Sequence, residues 1–155
     1  PFFSPSEYGS YFDGFANSLG LCFGFVDGRE LRKYVDKMFL GNGLLPSFHP
    51  IIKPGDKYWD ELKNSFSVKF RNEPGNYHNG GLWPVITGFY VVGLGKDGGG
   101  FLDGINNSNS KADWGFHEFL NGKTLRASGL RYQGWSAAAG IMGYESVVSG
   151  KRLFL

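Results

Sequence analysis

Glu118 stands between His117 and Phe119 in the run DWGFHEFLNGKT, with Trp114 and Phe116 just before it and Trp135 further on. A carboxylate set among aromatic side chains has a proton affinity that its surroundings can tune, which is what a general base requires. The plainer alternative is a loop glutamate paired with Arg126 or Arg131. A second cluster, NYHNGGLWP (residues 76–84), carries Tyr77, His78, Asn79, Gly81 and Trp83. Its amides and imidazole offer hydrogen bonds, and its glycines allow backbone to come close to a ligand. Gln133 and Trp135 in RYQGWSAA and the segment YFDGFANSLG (11–20) complete the set. Trp83, Trp114 and Trp135 present faces on which a flat, weakly polar ligand such as a sugar ring can stack, although core packing claims many tryptophans. The amides of Asn79 and Gln133 suit pairs of hydroxyls, and equally suit capping the helices that begin there. For His78 a ligand contact and a satisfied structural role both remain open.

Other chemistries are poorly served. His49, His78 and His117 lack metal-ligand spacing, so neither a metal nor a cofactor is expected. GLGKDGGG (93–100) lacks the glycine-lysine-serine or threonine end of a phosphate loop and reads as a helix-ending turn. With 16 basic against 14 acidic residues, the chain has no electrostatic footprint for nucleic acid. A single cysteine, Cys22, excludes an internal disulfide and suggests a reducing, cytoplasmic setting, where a mid-helix thiol would be inert. No apolar run reaches the roughly 18 residues of a membrane span, and no charged-then-apolar leader is present. A start at Pro1 suggests a processed or partial product, and 155 residues fit a single domain over 1–155.

The elements that must position these residues read as helices. Phe12, Phe15, Leu19, Cys22, Phe23 and Val26 recur at helical spacing, predicting an almost wholly apolar helix over 12–26. Asp27 with Glu30 resembles a capping box opening a second helix, whose stripe is Leu31, Tyr34, Val35, Met38 and Phe39 and whose other face is charged. A long, proline-broken connection follows, with a short helical piece in DKYWDELK (56–63). PVITGFYVVGLG (84–95) predicts a third, buried helix with Pro84 in its first turn, a strand being the runner-up. Residues 97–110 predict a degraded helix, 111–131 a polar loop and 132–149 a further apolar helix. A helix apolar all round must be covered on every side, whereas an amphipathic one lies at the surface. Inner helices alternating with outer ones satisfy both, as in an α/α toroid, and the long loops entering the inner helices then gather on one face.

The runs YHNGGLWPVITGFYVVGL, GFHEFLNGKT and GLRYQGWSAAAGI resemble, in order and spacing, the C-terminal half of (α/α)6-barrel glycoside hydrolases. The nearest resemblance is to alkaline/neutral invertases and to amylo-α-1,6-glucosidase-like (glycogen debranching-type) enzymes, and more distantly to glucosylglycerate and mannosylglycerate hydrolases. YFDGFANSLGLCFGFVD is similar to a helix of the same family, with Ala16 in place of its glycine beside Asn17. The resemblance covers roughly residues 11–150 and implies an all-α fold with about half of the barrel present. It implies an inverting hydrolysis of an α-glucoside or small disaccharide-like substrate by two carboxyl groups. Glu118 falls on the family's general base, Tyr77 and Trp83 on sugar-pocket aromatics, Gln133 and Trp135 on a second pocket-lining pair, and His78, Asn79 and Gly81 between. The family's acid motif, aspartate-serine-glycine-x-tryptophan-tryptophan, does not occur here, and Asp13, Asp60 and Asp113 do not stand in its setting. The resemblance therefore implies a small-carbohydrate ligand and a chain that pairs with a missing half, with a second copy or with another protein.

Overall fold

The computed structural model describes residues 11–38, 42–64 and 69–151. Phe39 and most of the segment 1–11 lie outside these residues. Asp13 starts the first helix: its Oδ1 accepts from the Ala16 N–H at 2.9 Å, satisfying one of the orphan donors of the first turn. That places Phe12–Asp13 in a two-residue strand, β1, and begins α1 at Gly14–Cys22, shorter than the 12–26 periodicity predicts. The helix stops where the Phe23 N–H donates to Leu19 O and the N–H of Gly24, at φ 74°, donates to Leu21 O. Phe12 still reaches the core, in contact with the Tyr34 ring at 5.3 Å.

The second helix, α2 (Gly28–Met38), opens as its sequence indicates, with Asp27 Oδ1 accepting from Arg29 and Glu30 N–H groups. Leu31 and Val35 are buried, and Arg32–Asp36 and Lys33–Glu30 pair on the solvent side. After β2 (Phe48–His49) and the short α3 (Trp59–Asn64), α4 (Pro84–Leu94) carries Pro84 in its first turn and is buried over most of its length. A 3₁₀ turn, Gly95–Gly98, leads into α5 (Gly99–Lys111), a regular helix where the sequence predicts a degraded one. Tertiary packing overrides its weak propensity: Phe101 meets the Tyr90 ring edge-on at 4.9 Å, and Gly104 lies so close to Gly43 that a Cβ on Gly43 would meet the Gly104 Cα at 2.9 Å. Strands β3 (Phe119–Leu120) and β4 (Ala127–Ser128) form a hairpin in what reads as loop, and α6 (Gly134–Ser149) closes the described chain.

Helix directions follow from which residues meet. Gly14 abuts Ile86 and Leu21 abuts Gly93, so α1 and α4 run parallel. Ala139 abuts Gly88, and the Ser146 hydroxyl donates to Val92 O at 3.2 Å, so α6 is parallel to α4 on its other side. On α5, Leu102 lies by Gly143 and Ile105 by Gly140, so that helix runs the opposite way. Gly28 beside Leu21 and Tyr34 beside Phe12 likewise turn α2 back along α1. Three apolar helices thus share one direction, and their starts share one end. The fold is mostly α, with only two small sheets among the described residues.

Candidate functional site

At that shared end the entering segments are joined by backbone hydrogen bonds into one run. Phe12 and Asp13 pair with His49 and Phe48, and the Gly14 N–H donates to Ser47 O at 2.9 Å. Ser47 N–H donates to Gly81 O and Trp83 N–H to Leu45 O. Leu82 and Leu120 exchange both bonds, and Phe119 and Leu120 pair in turn with Ser128 and Ala127. These bonds supply partners for backbone groups of the entering segments, and they tie together the segments that carry Asp13, Trp83 and Glu118.

The Leu82–Leu120 register sets Trp83 opposite Phe119, and their rings stack at 5.4 Å and 20°. Tyr77 completes the cluster, 5.5 Å from Trp83 and 5.7 Å from Phe119. Its backbone takes φ 45°, and its carbonyl accepts from the Trp83 indole Nε1 at 3.1 Å. Phe116 and Tyr132 also have positive φ, 41° and 59°, so backbone strain gathers in these loops, a feature common at ligand sites.

Two cavities adjoin this cluster. One, of about 630 Å³, is walled by Tyr77, His78, Trp83 and Trp135 together with Asp13 and Phe48. Trp135 is 47% exposed and its ring lies 6.3 Å from Trp83. The His78 imidazole stacks on Trp83 at 5.3 Å. Crowding by these rings pushes its pKa below the ordinary histidine value, against the opposing pull of the Glu118 and Asp13 carboxylates.

The other cavity, of about 520 Å³, contains Glu118, with Lys69, Arg71 and Asn76 on its wall. Glu118 is 6% exposed, and its Oε2 accepts from Leu130 N–H at 3.2 Å. No ion pair joins it to Arg126 or Arg131 among the described residues, so the structural alternative for this glutamate is not realised. Gly129, at φ 74°, leaves the space the carboxylate fills: a Cβ there would overlap Glu118 Oε2.

The remaining expected site residues fall elsewhere. Asn79 is 2% exposed, and its amide is consumed by protein: Nδ2 donates to Ile52 O at 2.8 Å and Asn72 O at 3.0 Å, while Oδ1 accepts from Ile52 N–H at 2.8 Å. It braces the loop and offers a ligand nothing. Gly81 is buried with its backbone against Tyr77 O, so its missing side chain serves a close approach within the protein, not to a ligand. Trp114, 52% exposed and at φ 51°, contacts Phe116 at 6.2 Å and lines neither cavity. Gln133 is the N-cap residue of α6 but makes no side-chain capping bond, and it too is absent from both walls. The residue that sequence reasoning passed over is Asp13, set aside for lack of a motif. The available signal was an aspartate three residues before a helical backbone N–H, the spacing of a cap.

No group of three or more His, Cys, Asp or Glu among the described residues could hold a metal, and no helix among them is long and apolar enough to cross a membrane. Burial pushes the Cys22 thiol up to about 11, and its Sγ donates to Phe89 O. No protein-family model matches the chain, and no curated protein matches it in sequence.

Proposed function

We propose that this chain is the base-carrying part of an inverting glycoside hydrolase built on an α/α toroid, acting on an α-glucoside or a small disaccharide-like substrate. The observation that carries the reading is the buried Glu118 carboxylate, which has no ion-pair partner among the described residues and lines one cavity with Phe119, whose ring stacks on Trp83 of the neighbouring cavity of Tyr77, Trp83 and Trp135. In this reading Glu118 takes a proton from the attacking water while the aromatic faces hold the sugar ring by stacking, which requires the bound sugar to reach from the cavity of Tyr77, Trp83 and Trp135 to the one that Glu118 lines. The family-like motif for the proton donor is missing from the sequence, and loss of such a group removes about 10² to 10⁴ in rate. The isolated chain should therefore bind sugars and turn them over barely or not at all. Titration with glucose, maltose, sucrose and trehalose, followed by tryptophan fluorescence and by glucose release, tests this. Absence of binding to every sugar would remove the carbohydrate reading, and Glu118-dependent glucose release would overturn the assignment of a missing acid. A single buried thiol suits the cytoplasm, the location this reading proposes.

A second reading, a non-catalytic carbohydrate-binding or regulatory remnant that assembles with another chain or with itself, draws on one further observation. Ile141, Tyr144 and Val148 form an exposed apolar stripe on α6, each more than half exposed, and Phe15 on α1 and Phe23 just after it are also exposed. Sugar binding without turnover in every combination of chains, with a solution mass above one chain that falls on Ile141→Lys substitution, would favour it.

A further inference from the structure

The aromatic cavity contains one carboxylate to which the hydrolytic scheme gives no task. Asp13 is fixed from three directions: Oδ1 by the Ala16 N–H, its carbonyl by Asn17 Nδ2 at 2.7 Å, and its strand by Phe48. Among the described residues no protein donor reaches Oδ2, and Asp13 lines the same cavity as Trp83, Trp135 and His78. We infer that Asp13 Oδ2 is the hydroxyl-reading acceptor of this cavity, and that the ligand it selects is an uncharged pyranoside presenting a hydroxyl to it across the tryptophan faces. The inference rests on the carbohydrate reading above and adds the residue that decides which sugar is taken.

The chemistry favours a neutral ligand. Among the described residues no Lys or Arg lines this cavity, and both the Asp13 and Glu118 carboxylates are felt at His78, so an anionic substituent would be repelled. Because the capping bond already fixes the Asp13 rotamer, a hydroxyl meets a carboxylate that loses little further freedom on binding. The neighbouring imidazole, with one donor and one acceptor in its neutral form, can serve an adjacent hydroxyl.

The test uses methyl α-D-glucopyranoside and its 2-, 3-, 4- and 6-deoxy forms, titrated into the intact chain with tryptophan fluorescence as readout. Asp13→Asn keeps an oxygen for the Ala16 N–H but turns the outward acceptor into a donor. It should leave the melting temperature in place and weaken glucoside binding roughly ten- to a hundredfold, the range for a hydrogen bond to a charged group. One deoxy sugar should lose a similar factor against the wild type and nothing further against Asp13→Asn, a coupling that a purely structural role would not produce. Asp60→Asn, on the exposed α3, is the control expected to bind unchanged. If Asp13→Asn binds all five sugars as the wild type does, the inference falls while the carbohydrate reading stands. If the wild type binds none of them, both fall. Should Asp13→Asn fail to fold, Asp13→Ser retains a capping hydroxyl and carries the same outcomes.

Discussion

Leu82 and Leu120 exchange both backbone hydrogen bonds, at 2.9 and 2.8 Å, although 38 positions separate them in the chain. This one pairing joins the segment that opens α4 to the loop that carries Glu118. It sets Trp83 on Phe119 and leaves Glu118 one residue beyond, level with the start of a buried helix. Any displacement of either segment would move the carboxylate relative to the aromatic cluster, so the geometry of the candidate site depends on the ladder more than on any single side chain.

Gly129 is the most sensitive point of the Glu118 side. Gly129→Ala places a Cβ into the carboxylate and forces a positive φ on a residue with a side chain, which alone costs about 1 to 2 kcal/mol. A lower urea midpoint at unchanged slope is the expected result. An unchanged midpoint would mean that the segment after β4 can relax and that Glu118 is not confined by it.

Asn79 tests the reassignment from ligand contact to brace. Asn79→Ala orphans the buried Ile52 N–H and two carbonyls, and should destabilise the chain by about 3 kcal/mol or more. Asn79→Asp should be no better, since it points an acceptor at two carbonyls. If the alanine variant melts like the wild type but loses sugar affinity, the amide belongs to the ligand after all.

Tyr90 is fully buried on α4, and its hydroxyl has no hydrogen-bond partner among the described residues. Desolvation of that hydroxyl is uncompensated, so Tyr90→Phe should stabilise the protein by about 1 kcal/mol, visible as a raised melting temperature. A loss of stability would reveal a partner for the phenol, such as water.

Acid should weaken the fold through its histidines. His49, His78 and His117 all have pKa values pushed below the ordinary 6.5, each chiefly by desolvation. As pH falls from that value toward the depressed folded-state values, the unfolded chain binds more protons than the folded one, and stability declines. The contribution is complete above about pH 6.5 and is lost below it. Thermal melts between about pH 7.5 and pH 5 should show a falling midpoint, reduced in the His49→Phe variant. A flat profile would contradict the burial of these rings.

The helical parts were largely legible because their signals are local. Asp27 three residues before Glu30, Pro84 ahead of an apolar run and the charge-free stretch after Gly134 each announce an element from its own residues. Phe12 misled for the same reason: its spacing fits α1, but pairing with His49 draws it into a strand instead. For α5 the misdirection ran the other way, since a glycine that weakens a helix in isolation, Gly104, here allows it to approach Gly43.

Residue types by themselves determined that three apolar helices would need covering and that a carboxylate, two tryptophans and a tyrosine would share one set of loops. They could not determine which of those polar groups would be spent inside the protein. Asn79 and Gly81 satisfy neighbouring backbone, Trp114 and Gln133 stand away from both cavities, and Asp13 faces one of them. The reason is that local order depends on residues a few positions apart, whereas the use of a hydrogen-bonding group depends on the partner that long-range backbone pairing brings to it.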